Sequence, residues 1–273
     1  MTQAGRYAGL LAALLCSLTT EAGHASVAAG DRAFALRAEV LDGERAEPTR
    51  IEEAIGHYRA AAEADPASIE ARWKLLRALH YAIDFTTLPD DGKEARMGEA
   101  VELARSSSEY RDDAQGAPPD RARLLFWSSI AWGTRAQRVG LLTIVREGVA
   151  KRMYENAQQS LDLDPSVDRG GPLRLLSRLH STLPRVPFVS GWVDRSQALP
   201  LAERAYALDP GHPGNRLILA LTLLEREPSR SGEARDLLES VASAEPEPGH
   251  LAEDLRIRER ARERLAQLEG DSP

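Results

Sequence analysis

Apolar residues recur every three to four positions along most of the chain, the period of an amphipathic helix. Four segments share one arrangement, with small or apolar residues standing 12, 8 and 5 positions before a proline. They are Ala54, Tyr58 and Ala61 before Pro66; Met153, Ala157 and Ser160 before Pro165; Ala198, Ala202 and Ala205 before Pro210; and Ala234, Leu238 and Val241 before Pro246. Steps of four and three put each set on one helix face. The proline ends each helix, because it has no backbone N–H to donate. A fifth segment, Lys93–Ser107, has Ala100 and Ala104 at matching places and Asp112 where the proline would stand. Between these segments, Ser68–Tyr81 predicts a helix with Ala71, Leu75 and Leu79 as its apolar stripe. Pro119 suits the first turn of another helix through Arg121–Gln137.

The pattern predicts about eleven helices, arranged as five antiparallel pairs and a cap. The first helix is expected at Asp31–Leu41 and the cap at Leu251–Leu268. Asp84–Gly92 is a turn-rich loop, and Arg185–Asp194 is the longest connector. No pair can bury its own stripe, so stacking must create the core. The small–aromatic–small–Pro signature, best seen in Ile51–Pro66, resembles the second helix of a tetratricopeptide repeat (TPR). The resemblance implies an all-α fold: one right-handed α-solenoid of TPR-like hairpins over residues 28–268, with a disordered tail at 269–273.

The first residues differ from the rest. Ala8–Leu18 is an apolar run of 11 residues. A helix of that length falls well short of the ~30 Å hydrocarbon core of a bilayer and suits a signal-peptide h-region instead. Small residues at Ala25 and Ala28 offer cleavage sites, so residues 1–25 are read as a signal peptide and the product as periplasmic. The lone cysteine, Cys16, follows Leu15 and Leu14 rather than the small residue of a lipobox, which argues against a lipid anchor. No later segment is long and apolar enough to span a membrane.

Composition supports the helical reading. Ala and Leu make 79 residues, against 29 for Val, Ile and Thr, which excludes a doubly wound sheet with its Val/Ile-rich strands. A net charge of −7 excludes the clustered basic surface of a nucleic-acid binder. No phosphate loop, dinucleotide fingerprint, H-E-x-x-H or G-x-S-x-G motif is present. The six histidines never fall three or four apart, so no single helix offers a metal pair. The chain is therefore read as a non-enzyme with no cofactor or metal.

Binding residues are the better candidates. Glu70, Trp73, Arg77 and Tyr81 lie along one side of the Ser68–Tyr81 helix, flanked by His80. In TPR arrays that face lines the concave groove, where Trp and Arg can stack on and hydrogen-bond a peptide or carboxylate. The same spacing also allows Trp73 to be a core residue. Phe126, Trp127 and Trp132 read as core fillers. Arg174 and Arg178 follow a Gly-Gly-Pro start, and Trp192 is either a groove lid or a plug between helices. The insertion Asp168–Pro187, inside a helical-repeat chain behind a signal peptide, resembles the T-component family of TRAP transporters. Members of that family are typically lipoproteins, and this chain has no convincing lipobox. Two functions are expected: an exported scaffold holding a protein or peptide partner, such as a transporter subunit, on its concave face, or a small-molecule-binding accessory of a TRAP-type transporter.

Overall fold

The computed structural model describes residues 23–107, 117–186 and 190–270, with the side chains of residues 141 and 142 outside that description. The apolar run Ala8–Leu18 lies outside the described residues, as do residues 187–189 of the long connector. The described chain is all-α apart from one two-residue-per-strand hairpin.

Helix α1 covers residues 23–35. It is followed by α2 (Thr49–Ala64), α3 (Ile69–Phe85), α4 (Asp90–Ser106) and α5 (Pro118–Ala136). A short α6 (Leu141–Arg146) precedes α7 (Val149–Leu163), α8 (Gly171–Thr182) and α9 (Ala198–Leu208). The chain ends in α10 (Pro213–Arg226), α11 (Ser231–Ser243) and α12 (Leu251–Gly270). Each major helix packs on the next and often on the next but one, so that α1, α3, α5, α8, α10 and α12 form an inner layer backed by α2, α4, α7, α9 and α11.

The repeat register explains the helix boundaries and the core together. Of the twelve residues at the 12, 8 and 5 positions, all except Met153 are buried. Helices α2, α7 and α9 each stop two residues before their proline, with Asp65, Asp164 and Asp209 as C-caps. In the weakly marked fifth unit, Ala100, Ala104 and Ser107 are buried as the register requires. Ser68 caps α3 through its side chain, which accepts from the Ala71 N–H. Pro118 and Pro119 open α5, where missing N–H groups cost nothing.

The structure departs from the sequence reading in four places. The first helix is residues 23–35 rather than Asp31–Leu41, and Leu41–Asp42 pairs with Arg45–Ala46 in an antiparallel hairpin turned at Gly43, φ +63°. Helical spacing continued on paper past Phe34, but the chain leaves the helix after residue 35 through a turn at 36–38, well before the left-handed Gly43 that turns the hairpin. The loop between α3 and α4 shrinks to residues 86–89, because Thr86 bonds back to the Ala82 carbonyl and extends α3. Helix α12 continues through Glu269 and Gly270, two residues assigned to the tail.

The fourth departure concerns shape. Helix α12 does not merely cap the last hairpin. Its Ala252 is fully buried in the same apolar cluster as Phe34, Trp73 and Leu76 of the first hairpins. Arg37 crosses to the same helix, donating to Glu253 at 2.8 Å and to the Gly249 carbonyl. The turn after α1, together with α3, therefore meets α12 beside a hollow.

Candidate functional site

The hollow is built where α1, α3 and α12 meet. Phe34 presents its ring between two guanidinium groups: Arg37 Cζ is 4.3 Å and Arg77 Cζ 3.9 Å from its centroid. Arg77 also lies 4.9 Å from the Trp73 ring centroid, so its planar cation is stacked between two aromatic groups. Arg37 is saturated, donating to Glu253 Oε1 from Nε and Nη2 and to the Phe34 carbonyl from Nη1. Arg77 is not. Among the described residues it makes no ion pair within 4 Å; its guanidinium meets the Tyr58 hydroxyl, and its Nε–H is buried without an acceptor. Asp31 acts on it at longer range but is held by the Tyr58 hydroxyl and Lys74 Nζ.

Tyr81 is 2% exposed, and its hydroxyl also has no partner. Burial and the nearby Glu253 charge push its phenol above the usual range, so the hydroxyl stays a donor. Burial pulls Arg77 below the ordinary guanidinium range, and the Arg37 charge acts in the same direction. His80 borders the hollow with Nδ1 3.1 Å from Asp84 Oδ2, and its ring lies against Phe85 and Trp127. The cavity bounded by these groups holds about 220 Å³.

Opposite them, residues 168–170 are all left-handed, with φ of 49°, 55° and 96° at Asp168, Arg169 and Gly170. Only glycine adopts that region without strain, so Asp168 and Arg169 must be held. Arg174 holds them, donating to the carbonyls of Arg169 and Asp168, to Asp168 Oδ2 and to Asn215 Oδ1. Asn215, fully buried, donates back to the Arg169 carbonyl. His212 closes this corner. It caps α10 by accepting from Asn215 N–H at Nδ1, and burial together with Arg174 and Arg169 pushes it down to about 3.

The candidate residues separate into two groups. Arg77, His80 and Tyr81 line the hollow. Trp73 is buried, with Nε1–H on Asp120, and belongs to the core behind Arg77. Glu70 pairs with Lys74 outside the cavity wall. Arg174 borders the hollow, but its donors are engaged by the strained turn. Arg178 is paired with Glu225 at 3.0 Å. Trp192 is a plug: it stacks on Tyr154 at 4.1 Å and meets His180 edge-on between α7 and α8. Among the expected core fillers, Phe126 and Trp132 are buried, while Trp127 faces the inner surface.

Phe34, Arg37, His212 and Glu253 were not singled out from sequence. Phe34 and Arg37 stand three apart, a spacing that hints at a shared face, but nothing local ties them to a residue 216 positions away.

Beyond this pocket the inner face continues as two further cavities of about 330 and 380 Å³. Trp127 and His80 are shared between the first and second, Ile130 and Leu175 between the second and third. The far end is apolar, walled by Ile144, Met153, Leu179 and Leu183. Among the described residues, no three metal-ligating side chains converge, and no helix is long and apolar enough to cross a membrane. No protein-family model matches the chain, and no curated protein matches it.

Proposed function

We propose that this chain is an exported TPR-like binding protein whose inner face encloses a small molecule, in the role of an accessory to a TRAP-type solute transporter. The observation that carries the reading is the closure of the inner layer by Arg37, Glu253 and Ala252. Closure walls one end of the concave surface, giving a pocket with a few convergent polar groups that continues into a half-open, mainly apolar face, the usual make-up of a small-ligand site. An extended peptide, the other occupant considered for this face, would have to thread beneath the Arg37–Glu253 bridge. Such a peptide needs a groove open along its length.

Native mass spectrometry of protein purified gently from its own cell envelope tests the reading. A retained adduct of small-molecule mass is the expected result. A clean apo mass, together with no saturable uptake of any small organic ligand, would overturn it. Intact mass of the same sample also reports the cleavage site. Val27 is buried against Ala61 and Ala71, so a product beginning at Ser26 keeps that contact and one beginning at Ala29 loses it. The expected mature chain begins at Ser26.

A further inference from the structure

We infer that the cavity takes a monocarboxylate with an apolar body, its carboxylate received by Arg77 and Tyr81 and its body lying along Trp127, Ile130 and Leu175. The inference rests on the small-ligand reading above and specifies its chemistry.

The argument begins with charge. Arg37 is paired with Glu253, Arg169 with Asp209 and Glu247, Arg174 with Asp168, and Arg178 with Glu225. Among the described residues, Arg77 is the arginine of this first pocket without a carboxylate within 4 Å, and it is fixed in place by Phe34 and Trp73. Its Nε–H and the Tyr81 hydroxyl are both buried donors without acceptors. Buried donors are rarely left unpaired, and leaving them so is costly. A carboxylate has acceptor sites for both and one negative charge for one uncompensated cation. A dianion fits worse, because Glu253 and Asp254 also border the pocket and would repel the second charge.

The rest of the ligand follows from the wall. From the Arg77 end the surface passes Trp127 and then Ile130 and Leu175, and it ends among Met153, Leu179 and Leu183. Of the arginines midway, Arg174 and Arg178 are neutralised by Asp168 and Glu225, and Arg260 also lines the second cavity. The lining is arginine-rich through the first two cavities and mainly apolar in the third, and Trp127, Ile130 and Leu175 give it a continuous apolar side suited to a molecule with an acid at one end and a hydrocarbon body behind it.

Octanoate, octan-1-ol and octylamine share a chain length and differ in the head group. Calorimetric titration of each into the purified protein should show octanoate binding at least about tenfold more tightly than octan-1-ol, the effect of one charge-assisted hydrogen bond, and octylamine binding weakest. Tyr81→Phe keeps the ring and removes the hydroxyl. It should weaken octanoate several-fold and octan-1-ol less, because a neutral hydroxyl is the weaker acceptor. Arg77→Met should bring octanoate down to the level of octan-1-ol; because Arg77 also stacks in the core, the Tyr81 variant and the wild-type ligand series stand without it. Equal binding of octanoate and octan-1-ol would overturn the carboxylate assignment and leave the small-ligand reading intact. The same holds if no eight-carbon chain binds but the native protein retains another molecule. No binding of any of the three, with a clean apo mass, would overturn both.

Discussion

His212 carries an imidazole that the fold keeps neutral. Its folded value of about 3 lies below the ordinary 6.5 because of burial and the charges of Arg174 and Arg169. A depressed histidine contributes stability that is fully present above about pH 6.5 and is lost as the pH falls towards 3, since the unfolded chain takes up the proton first. Between pH 7 and 5 the loss is on the order of 2 kcal/mol. His180, lowered by burial, acts in the same direction. Urea unfolding of His212→Asn should show a flatter fall in stability over that interval, because asparagine keeps the helix-capping acceptor and removes the titration. Trp73 makes a second residue-scale case. Buried in the core and bonded to Asp120, it should cost about 3–5 kcal/mol on truncation to alanine, as a buried aromatic does. Its helical spacing from Arg77 and Tyr81 was legible in the sequence; its depth was not, because a tryptophan three residues from a polar stripe can point either way.

At the scale of the element, the repeat register was legible almost to the residue. Ala54, Ala202 and Val241 are buried because the 4-3-5 spacing must face the neighbouring helix. The register also places hydrogen bonds that spacing alone does not show. Ser129 of α5 donates to the Met153 carbonyl of α7, and Ser177 of α8 donates to the Ala198 carbonyl of α9. Met153 and Ala198 each stand twelve positions before their proline, so one serine fastens the same point in two successive hairpins. Ser177→Ala should lower stability by about 1 kcal/mol, read by chemical denaturation, and an unchanged midpoint would deny the bond a net contribution. Gly170 is a stricter case. At φ +96°, with the Ala205 Cα 3.6 Å from where a Cβ would stand, it should lose about 1–2 kcal/mol on change to alanine. Element boundaries were read less well where one backbone conformation decided them. The chain left α1 after residue 35, before the hairpin that Gly43 turns, and Thr86 closed α3 later than the spacing predicted.

For the whole molecule, the decisive contact joins Arg37 to Glu253 across 216 residues. Period and composition report what each hairpin does to its neighbour, and they carry no trace of where the sixth inner helix arrives after five steps. That is why the sequence predicted a solenoid with a concave groove but not the seam that Arg37 and Glu253 make across it. Arg37 is buried, so removing it strands Glu253, a change worth about 3 kcal/mol for a buried pair. Arg37→Leu should raise hydrogen exchange at the start of α12 and enlarge the radius of gyration in solution scattering. If both measurements match the parent protein, the seam is held by Ala252 and its apolar neighbours alone. An open repeat array can gain or lose a unit and still end in a usable cap. A chain whose last helix must land on its first has a fixed tally instead: duplicating or deleting a single hairpin would carry Glu253 past or short of Arg37 and erase the pocket, even if every remaining hairpin folded normally.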